Sequence, residues 1–272
     1  MALQASGQIS LDDLHVEAGG TTGTECSLND TDIRDIISKG DGAQNAINEY
    51  YGQSSAVSGN WISYQPRGPD GNLTWNNVNF GTAAANRYII TYTAFRTATS
   101  SSTSCTVNIA GQTTHRLAQL SVSSSSRSAG AQVDIANVPT GTTGTISMST
   151  SNGSVYQYAT AWVIYGVATN ASGVPQYAAF AQSNTAGDAT FNLSVQEGDM
   201  IIAGAGSGIC GSSSNINWSG VTKNFSYVIQ ENNDRIMSAG THFATSTGTR
   251  TIVADRNYSG TSNSAFAMAF RK

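Results

Sequence analysis

Beyond residue 75 the chain never repeats its apolar residues at helical spacing. It runs through short β-prone segments closed by turn residues, and this pattern limits the fold more than any other feature. The segments are RYIITYTAF (87–95), CTVNI (105–109), AQVDIANV (131–138), GTISMS (144–149), VYQYATAWVIYGV (155–167), ATFNLSV (189–195), DMIIAGAG (199–206), FSYVI (225–229), RTIVA (250–254) and SAFAMAF (264–270). In the first, Tyr88, Ile90 and Tyr92 share one face and Ile89 takes the other. Between segments stand turn formers: AGQ at 110–112, PTGTTG at 139–144, NASG at 170–173 and NYSG at 257–260. Roughly ten strands in turn-rich order predict a mainly β body over 76–272, an antiparallel, jelly-roll-like β-sandwich. SSSTS (100–104) and SVSSSSRS (121–128) read as low-complexity loops, and GAGSGICG (204–211) as a glycine-rich loop. No fixed-period repeat is visible, which argues against a solenoid.

Residues 1–52 are chemically different. Residues 8–52 hold nine of the seventeen acidic residues against Arg34 and Lys39 alone, a net −7 within a chain of net −4, which leaves +3 for the rest. The segment also holds the firmest helix signal. Ser27 with Asp30, then Asn29 with Asp32, offer side-chain caps; Ile33, Ile36 and Ile37 share a face; Lys39 complements the C-terminal dipole and Gly40 stops the run. The pattern predicts a helix over 29–38, too short to stand alone in water. ISLDDL (9–14) fits either one helical turn or a β-edge, and Gly19, Gly20 and Gly23 mark a loop. The module is read as an attachment element, with Ile9, Leu11, Leu14, Ile33, Ile36, Ile37, Tyr50 and Tyr51 as the candidates for attachment. Residues 53–75, with Pro66, Pro69 and several Gly and Ser, read as a linker punctuated by Trp61, Tyr64 and Trp75.

Composition narrows the partners. Hydrophobic residues make up 39% of the chain, enough for a core, while charged residues make up only 11%, with Ser, Thr, Asn and Gly in their place. Three lysines (Lys39, Lys223, Lys272) and scattered arginines give no basic patch, so nucleic acid is not an expected partner. No run of 18 apolar residues suggests membrane insertion, and MALQASGQISL lacks the basic start and apolar core of a secretory signal, so synthesis in a cytoplasm is expected. Cys26, Cys105 and Cys210 show no metal spacing and read as reduced, packed side chains, with a Cys105–Cys210 bridge as the alternative.

No catalytic constellation emerges, and no cofactor, metal or enzyme activity is expected. Glu197 and Asp199 flank Gly198 as a hairpin turn would. His15, His115 and His242 have no ligand spacing. GxSxG, P-loop and dinucleotide fingerprints are absent. SLNDTDIRD resembles a calcium loop in composition only. Trp61, Trp75 and Trp218 are the candidates for stacking on a glycan, against the plainer reading that they anchor or fill the body; Trp218, Phe225 and Tyr227 read mainly as core.

The run ISL (9–11), HVEAGG (15–20), SLND with DIR (27–34) and YG (51–52) resembles a segment recurring at the N-terminus of structural proteins of tailed bacteriophages, notably those infecting cyanobacteria. RYIITYTAFR (87–96), DIANVPTGTTGTISMS (134–149), TAWVIYG (160–166), NWSGVT (217–222) and AFAMAFRK (265–272) resemble the β-sandwich elements of such particles. The resemblance implies a virion structural protein of tail-fibre or baseplate-associated type. It would dock through its N-terminus onto other virion proteins, self-associate with a trimer as the expected state, and present its sandwich to a host-surface glycan. Two other readings stay open: a capsid decoration (cement) protein clamped to the major capsid protein, and a carbohydrate-binding module.

Overall fold

The structure, a computed structural model, describes residues 3, 8–37, 39, 44–50, 57–67, 72–97, 105–123, 128–150, 154–170, 174–183, 187–207, 214–229, 235–257 and 263–272. The chain divides into two compact units, Met1–Val57 with Lys272, and Ser58–Arg271.

The first unit contains helix α1 (Leu11–Glu17), helix α2 (Thr31–Ile36) and a 3-10 turn at Ile47–Glu49. Of the two readings of ISLDDL, the helical one is adopted, because Ser10 and Asp13 form a complete capping box. Ser10 Oγ accepts from the Asp13 backbone at 3.1 Å, and Asp13 Oδ2 accepts from the Ser10 backbone at 2.8 Å. These bonds to Ser10 lower the Asp13 pKa. The second helix is shorter than the 29–38 expected. Asp30 turns its carboxylate back to the Ser27 backbone at 2.7 Å, which holds 27–30 as a turn before the helix begins. The stop expected at Gly40 lies outside the described residues.

Among the described residues the second unit contains sixteen strands, all antiparallel. The first eight are β1 (Ser58–Arg67), β2 (Leu73–Asn79), β3 (Arg87–Thr97), β4 (Cys105–Ile109), β5 (His115–Ser123), β6 (Ser128–Asn137), β7 (Thr143–Thr150) and β8 (Ser154–Tyr165). The other eight are β9 (Tyr177–Ser183), β10 (Ala189–Val195), β11 (Met200–Ser207), β12 (Ile216–Ser219), β13 (Thr222–Ile229), β14 (Arg235–Phe243), β15 (Gly248–Arg256) and β16 (Ser264–Phe270). The 53–75 linker is thereby corrected: its later part forms β1 and β2, and the prolines misled. Pro66 is tolerated because β1 is an edge strand, paired with β8 alone.

The sixteen strands are two copies of one plan. The first half forms sheets β1-β8-β3-β6-β5 and β2-β7-β4; the second forms β9-β16-β11-β14-β13 and β10-β15-β12, the same order with every strand number raised by eight. First pairs with last, second with seventh and third with sixth, the nesting a jelly roll needs. The fourth and fifth strands of each half join different sheets, so the likeness to a jelly roll lies in the nesting. One sandwich was expected, and two are present. Their inward-facing residues correspond. Ala159, Ala161 and Val163 fill the first interior where Ala265, Ala267 and Ala269 fill the second; Ile89 matches Ile201, Ile146 matches Ile252, and Val138 matches Ala244.

The two five-stranded sheets pack on each other, giving four layers of three, five, five and three strands. Tyr92 on β3 meets Phe266 on β16 at 4.9 Å between ring centres, and Trp162 Nε1 on β8 donates to Thr241 Oγ1 on β14 at 2.9 Å. This explains two kinds of strand sequence. Outer strands alternate: in β10, Ala189, Phe191, Leu193 and Val195 are buried and Thr190, Asn192 and Ser194 exposed. Inner strands are buried on both faces, so SAFAMAF in β16 reads as an unbroken apolar run.

Candidate functional site

In the first unit His15 anchors the loop that follows α1. Its Nε2 shares a hydrogen bond with Thr24 Oγ1 at 2.7 Å, and an ideal Cβ on Gly20 would sit 2.2 Å from that nitrogen. Gly19 takes a φ of 95° just after α1, and Asp12 Oδ1 accepts from the Gly23 backbone at 2.8 Å. The HVEAGG run is thus a helix end folded over a histidine: one glycine supplies the left-handed turn and the next leaves room for the ring.

Five of the eight attachment candidates, Ile9, Leu14, Ile33, Ile36 and Tyr50, are buried together with Leu3 in the unit's own core. They hold the module together. Ile37 is half-buried against the same cluster, Leu11 lies on the surface at 41% exposure, and Tyr51 lies outside the described residues. Val16 and Ile47 join Leu11 as exposed apolar side chains that the helical pattern missed. Asn45 Nδ2 donates to the Tyr50 hydroxyl and to the Leu28 carbonyl, and burial raises the Tyr50 pKa. Lys39 Nζ meets Glu49 Oε1 at 2.5 Å, which lowers the Glu49 pKa, and Arg34 is buried beside Asn29 Oδ1 at 2.8 Å. Both cations of the acidic segment are therefore engaged, while Asp13, Glu25, Asp30 and Asp32 are exposed.

The three tryptophans proposed for glycan contact do not converge. Trp75 on β2 packs half-buried against the core of the first half. Trp218 on β12 packs against the core of the second and donates from Nε1 to Ser238 Oγ at 2.9 Å. Trp61 on β1 belongs to a row of rings that alternates between edge strands β1 and β13. Trp61 stacks on Phe225 at 5.7 Å, Phe225 on Tyr64 at 4.4 Å with 6° between planes, and Tyr64 meets Tyr227 at 5.2 Å. Phe225 and Tyr227, read mainly as core, are thus partly at the surface. The row closes the seam between the two central sheets, and Tyr227 remains 37% exposed at its end.

The remaining motifs resolve structurally. Gly198 has a φ of 85° in the EGD turn, and Asp199 accepts the Gln196 backbone at 2.8 Å. Residues 204–207 of the glycine-rich run belong to β11, a correction to the loop reading; rings of Tyr92 and Phe266 occupy the space over Gly204. In SVSSSSRS, 121–123 end β5 and Ser128 opens β6, while SSSTS lies outside the described residues apart from its neighbour Cys105. Cys26 and Cys105 are free thiols, so Cys105 forms no bridge to Cys210, which is itself outside the described residues. Burial pushes the Cys105 thiol up to about 12. Among the described residues no group of three or more His, Cys, Asp or Glu could hold a metal ion, and no helix is long and apolar enough to cross a membrane. Comparison of the chain with family models, with curated proteins and with solved structures finds no match.

Proposed function

We propose that the chain is a structural protein of a tailed-bacteriophage particle, of tail-fibre or baseplate-associated type, whose N-terminal unit docks on another virion protein and whose β body contacts the host surface. The observation that supports this best is the self-contained N-terminal unit. It has its own apolar core, displays acidic side chains together with Leu11, Val16 and Ile47, and precedes a much larger body. A unit so charged fits a basic face on its partner. The likeness of its HVEAGG and SLND runs to phage N-terminal segments supplies the class of particle, and with it self-association.

The test is deletion of residues 1–57 in the phage genome. The truncated body, folded by circular dichroism, should be made in the cell and missing from purified particles. Its presence in particles would remove the docking role. Quantitative gel densitometry of intact particles should give tens of copies or fewer; hundreds of copies would mark a capsid decoration protein instead.

A further inference from the structure

The first half of the body closes its open side with charge, where the second uses an indole. Strands β4 and β5 belong to different sheets and flank that side. Arg116 on β5 donates from Nη2 to the Cys105 carbonyl on β4 at 2.6 Å, and its Nε lies 3.6 Å from Asp134 Oδ1. Asp134 on β6 is buried, and its other oxygen accepts from Gln132 Nε2 at 2.6 Å; the same amide donates to the Cys105 carbonyl at 3.1 Å. From β3, Thr91 Oγ1 donates to the Asp134 backbone at 3.5 Å, and Thr93 stands opposite Gln132. The charged or titratable groups around Asp134 are thus Arg116 and the Cys105 thiol.

The equivalent register positions of the second half keep a cation but lose the carboxylate: Lys223 opposes Gly240 as Arg116 opposes Asp134. Thr91 opposes Asp134 in the first half, and Ala203 opposes Gly240 in the second; Thr93 opposes Gln132, and Ala205 opposes Ser238. There Trp218 fills the space. A carboxylate therefore lies in one interior at a place the other leaves to a glycine, and its one cation is partly in solvent.

We propose that Asp134 and Arg116 form a proton-controlled latch: proton uptake by Asp134 favours the closed first half, and proton loss favours separation of β4 from β5 with entry of water. Burial pushes Asp134 up to about 6 from its ordinary 3.8. A hydrated carboxylate on an opened side returns toward the ordinary value, so the open form binds the proton more weakly. Opening therefore gains as pH rises through about 6 and is suppressed below it. Arg116 limits the excursion by holding the ionised carboxylate and the β4 carbonyl together.

Cys105 lies under the latch at 1% exposure, so its labelling reports opening. The experiment uses the full chain with Cys26→Ser and Cys210→Ser, labelled with dithiodipyridine from pH 5 to 8.5, alone and with Asp134→Asn added. The ratio of the two rates removes most of the thiol's own ionisation. It should stand at about a tenth of its ceiling at pH 5, reach half near 6 and level off above it, with the ceiling about a hundredfold over the fully protonated limit as set by the two carboxyl values. A flat ratio overturns the latch. Should the variant fail to fold, amide exchange in the unsubstituted chain decides: exchange in β4 relative to β10 should rise through the same midpoint, and a constant ratio overturns the proposal.

Discussion

Arg87 and Asp199 hold the same position in the two halves of the body. Arg87 opens the third strand of its half and Asp199 stands immediately before the third strand of the other, and each accepts on its backbone carbonyl, Arg87 from Val138 at 3.0 Å and Asp199 from Ala244 at 2.9 Å. Both side chains are buried, yet their charges are opposite. Arg87 is satisfied by carbonyls: Val138 at 2.7 Å, Gly81 at 2.9 Å, Thr140 at 2.8 Å and Gly141 at 2.7 Å. Asp199 is satisfied by Gln196 and by a two-pronged bond from Arg271 at 2.9 and 2.6 Å. The same corner is pinned in one half by a donor and in the other by an acceptor.

The pins should differ in weight. Arg87→Ala strands several carbonyls with no replacement donor and should cost about 3 kcal/mol. Arg271→Ala leaves Asp199 buried without its cation, but Arg271 is a third exposed and the Gln196 bond survives, so about 1–2 kcal/mol is expected. Urea unfolding of both variants checks the order; an Arg87→Ala loss smaller than that of Arg271→Ala would show that the carbonyl contacts contribute little.

Asp134 gives the fold an unusual pH dependence. Its pKa is raised in the folded chain, so the stability it contributes is present at low pH and lost as pH rises through about 6. Asp134→Asn removes the cost of the buried charge while keeping an oxygen to accept from Gln132. The variant should unfold at a higher temperature than the natural chain at pH 8, by an amount on the order of 2 kcal/mol, and the difference should shrink toward zero at pH 4. Thermal unfolding at the two pH values measures it; equal gains at both would mean that packing, not charge, is responsible.

The first unit should fail separately from the body. Leu14 is fully buried among Ile9, Ile33, Ile36 and Tyr50, and its truncation to Ala should cost the unit about 3 kcal/mol. A unit this small has little stability in reserve. Amide exchange should therefore rise across α1 and α2 while β3, β8 and β16 keep their protection. Loss of protection in those strands would mean that the body depends on the unit.

Much of the fold was legible because alternation survives in single strands. CTVNI and ATFNLSV show it directly, and Ile89 opposite Tyr88 and Ile90 already implied a strand covered on both faces. The doubling was hidden because corresponding positions share only size and polarity on the inward face. Ala161 and Ala267 are 106 residues apart, Ile89 and Ile201 are 112, so the spacing drifts with loop length, and on the central face Tyr92 is replaced by Gly204. Strands β5, β9 and β14 escaped notice because Ala, Gly and Ser dilute their β signal; HRLAQLSVS and RIMSAGTHF become strands through their neighbours. The burial of Ile9, Leu14, Ile33, Ile36 and Tyr50 within their own unit is hidden for a related reason: an apolar helical face gives no sign of whether it covers its own unit or a partner.

The contact between the two halves rests on a glycine. Gly204 on β11 lies under both Tyr92 and Phe266, and an ideal Cβ there would be 2.4 Å from the Phe266 ring and 2.7 Å from that of Tyr92. Tyr92 cannot withdraw freely, because its hydroxyl is bonded to Ser264 at 3.1 Å in a fully buried setting. Gly204→Ala should therefore cost about 2–3 kcal/mol by forcing the two central sheets apart. Pairing it with Phe266→Leu removes the closest ring, so the double variant should lose less than the two single losses summed, a coupling of about 1 kcal/mol or more. Denaturant unfolding of the four chains in this cycle gives the number. Strict additivity would mean that the alanine methyl is accommodated without touching Phe266, and that the central sheets are not held at the separation these rings define.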